Sequence, residues 1–163
     1  MFIVNRGTPQ GKTLTVGKYE GYLAEPPADK AHKDVAVLYL PDIIGVWQNS
    51  KLLVDEFAAA GYLTLMIDTF NGDPVGLRNA HDPEFDLPKW FKEGTHGGNP
   101  HTEPYVDPIV VTAIDYLKQT LGARKIGAAG YCFGAKVRSK HRFHTSSGLL
   151  TLEVSCSTLY KWY

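Results

Sequence analysis

Cysteine is scarce in this chain, and the two present, Cys132 and Cys156, cannot build a disulfide framework. An excess of either charge is also missing. Seventeen Lys and Arg balance 17 Asp and Glu, so no basic field attracts nucleic acid or anionic lipid. No run approaches the roughly 20 apolar residues that span a bilayer, and Met1 to Glu20 lacks a signal-like apolar core. These absences argue against a disulfide-stapled, nucleic-acid-binding or membrane-spanning protein and point to a soluble, cytoplasmic one.

What is present suffices for one core: 163 residues, 44% hydrophobic and 12% aromatic. No repeat or linker divides residues 1–138. The neutral total conceals a shift, however. Residues 1–132 carry 12 Lys and Arg against 16 Asp and Glu, whereas residues 133–163 carry five against one. From Ser139 the chain is basic and rich in Ser and Thr, without the Gly and Pro punctuation seen earlier.

Local patterns predict alternating strands and helices. Thr13–Val16 and Tyr19–Ala24 form a leading antiparallel hairpin around Gly17 and Lys18. Asp34–Leu40, Leu63–Ile67 and Lys125–Gly130 are unbroken apolar runs, the pattern of strands buried on both faces. Between the first two, Asn49 caps a helix running to about Ala60, with Leu52, Leu53, Phe57 and Ala60 as its apolar stripe. Thr102 and Pro104 open a helix to about Leu121 that turns Val106, Ile109, Val110, Ala113, Ile114 and Leu117 inward. Asp68–Pro104 is a long excursion rich in Gly, Pro, Asp and His, with a short helix from Phe85 to Lys92, placed where such segments line binding crevices. The expected fold class is α/β, a three-layer α/β/α sandwich with a mostly parallel sheet.

The chemistry concentrates in Gly130-Tyr131-Cys132-Phe133-Gly134. A cysteine between two glycines at a strand-to-helix junction suits a nucleophile on a sharp turn, the glycines making room for it. The plain alternative, a small buried apolar cysteine, seldom falls on such a turn. Asp42 has its own plain alternative as a turn residue. Trp47 and Tyr131 read as packing aromatics, and His96 and His101 as solvated loop residues. His141 and His144 lack the further ligands a metal needs, so no metal site and no cofactor are expected.

Together with Gly130–Lys136, the blocks Tyr39-Leu40-Pro41-Asp42-Ile43-Ile44-Gly45, Trp47-Gln48-Asn49-Ser50, Asn71-Gly72-Asp73 and Asn99-Pro100-His101-Thr102 resemble the dienelactone hydrolase family of the α/β-hydrolases, most closely its fungal-type members. The likeness covers about residues 1–137, the amino-terminal part of an α/β-hydrolase fold. It implies a carboxymethylenebutenolidase-like hydrolase of small esters or lactones. On matching positions, Cys132 is the nucleophile, the backbone N–H groups of Ile43 and Phe133 form the oxyanion hole, and Asp42 stands where relatives carry an acid, usually glutamate, that promotes the thiolate. Gly130 and Gly134 frame the elbow. Arg78 does not match a carboxylate-binding position of the family, so the preferred substrate stays open.

After Val137 the resemblance ends. The family order is nucleophile, acid, histidine, yet no aspartate follows Cys132, and His141 and His144 precede Glu153. Residues 138–163 are expected to be an atypical tail, as from an altered splice or shifted frame, and the hydrolase domain to be incomplete. Leu150, Leu152 and Val154 alternate as in one strand. Activity is then weak or lost, the alternative being a non-catalytic fragment or interaction module.

Overall fold

A computed structural model of the chain describes residues 6–140. The expectations for His141, His144, the strand-like Leu150–Val154 pattern, Glu153 and Cys156 lie outside the described residues.

Strands β1 (Lys12–Val16) and β2 (Tyr19–Ala24) form the leading hairpin, with Gly17 supplying a positive φ of 63° at its turn. Strand β3 (Val35–Leu40), helix α1 (Gln48–Ala59) and strand β4 (Leu63–Ile67) make a β-α-β unit whose strands pair in parallel. The excursion carries two short helices, α2 (Gly76–Asn79) and α3 (Leu87–Glu93). Helix α4 (Glu103–Asp115) continues as a π-turn over Tyr116–Thr120 and leads to β5 (Lys125–Gly130), which pairs in parallel with β3 before α5 (Phe133–Lys140).

The described sheet is mixed, in the order β1-β2-β4-β3-β5. The hairpin joins it through the antiparallel β2–β4 pair, with Tyr22 opposite Met66. On the other side β5 is the outermost strand among the described residues.

Alternation along β3 divides the core into two layers. Ala36, Leu38 and Leu40 pack with Val106, Ile109, Val110, Ala113 and Leu117 of the α4 side and Val137 of α5. Val37 and Tyr39 point the other way, onto Val54 and Ala58 of α1. Leu38 and Leu40 are fully buried, each contributing about 1.5–3 kcal/mol relative to exposure. Helices on both faces of the sheet complete the three-layer sandwich.

Two local readings change. Helix α1 begins at Gln48 with Trp47 as its N-cap, so Asn49 lies inside the first turn instead of capping it. Its fully buried line is Ser50, Val54 and Ala58, while Leu53 and Phe57 flank it and Ala60 is exposed. Small side chains spaced four apart let the helix backbone approach the sheet, and the larger apolar residues fill the margins.

Candidate active site

Strands β3 and β5 end side by side, with Leu40 opposite Gly130. The loop after β3 and the elbow after β5 therefore leave the sheet together, and two hydrogen bonds tie them. The Tyr131 N–H donates to the Leu40 carbonyl at 3.2 Å, and the Gly134 N–H donates to the Pro41 carbonyl at 3.1 Å. Pro41-Asp42-Ile43 is thereby held beside Tyr131-Cys132-Phe133.

The elbow needs its glycines. A Cβ on Gly130 would fall 2.5 Å from the Gly134 carbonyl group, and one on Gly134 would overlap the Leu40 carbonyl oxygen. Cys132 itself adopts φ 52°, a left-handed conformation that non-glycine residues seldom occupy. Its thiol is exposed, which overturns the alternative of a buried apolar cysteine. Helix α5 starts at the next residue, so the sulfur stands at a helix N-terminus, where partial positive charge favours a thiolate. Among the described residues, the N–H groups of Ile43 and Phe133 donate no hydrogen bond.

Asp42 holds the β3 loop in an Asx turn. Its Oδ1 accepts from the Ile44 N–H at 2.9 Å, and its carbonyl accepts from the Gly45 N–H at 3.0 Å. Burial pushes the carboxyl pKa up, against the Ile44 N–H bond and the nearby Trp47 side chain and Gly45 amide, which pull it down. A raised folded-state pKa means that folding favours the protonated form. That contribution is complete below the unfolded pKa and is lost as pH rises through the folded one, so the ionised group weakens the fold at neutral pH. Asp42→Asn keeps the acceptor for Ile44 and discards the charge. It is expected to melt above wild type at pH 7, with the gap closing toward pH 4, as thermal melts at both pH values would show.

The excursion folds against the same site. Phe70, Val75 and Trp90 form a third apolar cluster, and both Ile43 and Phe133 pack on it. The Phe133 ring lies 5.0 Å from Phe70 and 5.7 Å from Phe91, centroid to centroid. The Val75 N–H donates to the Ile43 carbonyl at 2.9 Å.

His101 corrects the reading of a solvated loop histidine: it is 2% exposed, beneath Trp90 at a centroid distance of 4.2 Å. Its Nε2 lies 3.1 Å from Asp73 Oδ2, which also accepts from the Thr95 N–H at 2.8 Å. Burial lowers the His101 pKa despite Asp73, so the ring is neutral at pH 7, with its Nε2–H donated to the carboxylate. Burial raises the Asp73 pKa, but the bonds from Thr95 and His101 outweigh it and leave the group below the ordinary range. His96 is exposed, and so is Arg78. Tyr131 packs as expected, its ring stacked on Tyr39 at 5.6 Å.

No group of three or more metal-ligating side chains occurs among the described residues, and no helix there is long and apolar enough to cross a membrane.

The dienelactone hydrolase family pattern matches residues 19–146. The chain is 38% identical over 134 residues to the hydrolase pyvD of Aspergillus violaceofuscus, covering 82% of this chain and 50% of that protein. It is 39% identical over 137 residues to the hydrolase tropI of Talaromyces stipitatus, covering 83% and 52%. The chain thus spans about half the length of the curated relatives it matches. The crystal structure of a candidate dienelactone hydrolase from Klebsiella pneumoniae superposes with a TM-score of 0.60 at 19% identity, over 92% of this chain and 63% of that one, a likeness of fold. Since the family's pattern runs through both strands that carry the paired loops, the chain belongs to the dienelactone hydrolase family.

Proposed function

We propose that the chain performs the chemistry of a hydrolase of small carboxylic esters or lactones, with Cys132 as nucleophile. The observation that carries this reading is the exposed thiol on a left-handed turn at the start of α5, next to a β3 loop whose Ile43 N–H is unused among the described residues. Such a turn lifts a side chain clear of its own backbone and aims it at a substrate.

The Cys132 thiolate adds to the carbonyl carbon, and the carbonyl electron pair becomes an oxyanion held by the Ile43 and Phe133 N–H groups. The oxyanion collapses, the carbon–oxygen bond to the alcohol breaks, and the leaving alkoxide takes a proton. Water then hydrolyses the thioester to a carboxylic acid and restores the thiol. Asp42, with its raised pKa, is the candidate base that takes the thiol proton.

Thioester hydrolysis needs a base to activate water, whereas p-nitrophenolate leaves an activated ester readily and without being protonated. Acylation is therefore expected to outrun deacylation in this chain. Mixed with p-nitrophenyl acetate, it should release a burst of p-nitrophenolate followed by slow turnover, with peptide mapping placing the acetyl group on Cys132. Absence of a burst above that of Cys132→Ala, or a label elsewhere, would overturn the reading.

A further inference from the structure

We propose that Asp73 and His101 are a positioning pair that holds both oxyanion donors in register; this rests on the hydrolase reading above. Ile43 lies in the loop after β3 and Phe133 opens α5, and nothing in covalent geometry fixes the distance between their amides. Segment Phe70–Val75 touches both. Its far end holds Ile43 through the Val75 N–H, and its near end holds Phe133 through the Phe70 ring. Asp73 stands between these two contacts.

The segment must itself be anchored, and the anchor is the second arm of the excursion. Asp73 Oδ2 accepts from His101 and from the Thr95 N–H, and the Asp73 carbonyl accepts from the Trp90 indole at 3.1 Å. The Asn99 side chain donates to the Phe70 carbonyl at 3.0 Å. His101 is as deeply buried as Trp90: its ring packs under Trp90 and meets Phe70 edge-on at 5.5 Å, and its backbone N–H donates to the Phe91 carbonyl. It therefore links the arm bearing Phe91 to the arm bearing Phe70, the two rings between which Phe133 rests. Removing its Nε2 donor takes from the half-buried Asp73 carboxylate its buried partner and frees the arms to shift.

Two reactions of the same sulfur separate positioning from general damage. Acetylation by p-nitrophenyl acetate forms the S–C bond through an oxyanion and expels p-nitrophenolate. Alkylation by iodoacetamide forms an S–C bond as iodide leaves, with no oxyanion. In the full chain, His101→Phe keeps an aromatic ring without the donor; it is expected to slow acetylation roughly 10- to 100-fold while alkylation stays within about twofold. His101→Gln, whose side-chain N–H can reach Asp73, should recover most of the loss. Should His101→Phe fail to fold, Asp73→Ala carries the same comparison.

Equal acetylation in wild type and His101→Phe would overturn the inference, as would a parallel fall of both reactions in folded protein. A wild type that alkylates yet shows no acetylation above Cys132→Ala would sink the hydrolase reading, and this one with it. Wild-type acetylation beside an unimpaired His101→Phe would sink the positioning role alone.

Discussion

Cys132→Gly is expected to melt above wild type while losing acyl transfer by on the order of 10^3-fold or more. The two effects have one origin. At φ 52° the Cβ of Cys132 crowds its own backbone, a penalty of about 1–2 kcal/mol that glycine does not carry. Glycine loses more chain entropy on folding, so the net gain is about 1 kcal/mol, or roughly 2–4 °C in a domain of this size. Cys132→Ala is the control. It keeps the Cβ and its strain, so it should lose the chemistry without the rise in melting temperature. Calorimetry of the three proteins, together with their p-nitrophenolate bursts, checks both halves. A glycine variant melting below wild type would show that the turn is relaxed.

Gly134→Ala should have the opposite character, a large loss of stability. The added methyl would meet the Leu40 carbonyl oxygen, and that contact is backbone against backbone, so no side chain can swing aside. Relief requires α5 to move off β3, which breaks the Gly134 N–H bond to Pro41 and opens the paired loops. The expected penalty is about 3 kcal/mol or more, lowering the melting temperature by roughly 10 °C. In the folded remainder, acetylation of Cys132 should fall as well, because the Phe133 N–H moves with the helix. A melt within about 1 °C of wild type would contradict the close approach of helix and strand.

Much of this architecture is legible in the sequence, and the reasons are local. Strands β3, β4 and β5 lie at or within one residue of the expected Asp34–Leu40, Leu63–Ile67 and Lys125–Gly130, because a strand buried on both faces is an unbroken apolar run. The elbow is legible because its constraint is steric, and two glycines around one cysteine record it. The inward stripe of α1 is less so: Leu53 and Phe57 are larger than Ser50 and Ala58, yet the sheet lies nearer to the small residues. Short helix α2 escapes notice because four residues show no period.

His101 is the instructive miss. In isolation it is a polar residue after a proline, and its burial depends on Asp73, 28 positions away. The signal was present as two separate blocks, Asn71-Gly72-Asp73 and Asn99-Pro100-His101-Thr102, which the fold brings into contact. Asn71 meets Asn99 at 3.3 Å just as Asp73 meets His101 at 3.1 Å. No periodicity argument reports that kind of pairing.

The seam between Pro41 and Gly134 also sets an order of events during synthesis. The β3 loop leaves the ribosome long before β5, and loop closure across so long a stretch must precede any contact between them. The hairpin and the β3-α1-β4 unit can form while the turn at Cys132 is still unmade. The elbow that carries Cys132 is thus assembled only when β5, the last strand among the described residues, docks beside β3.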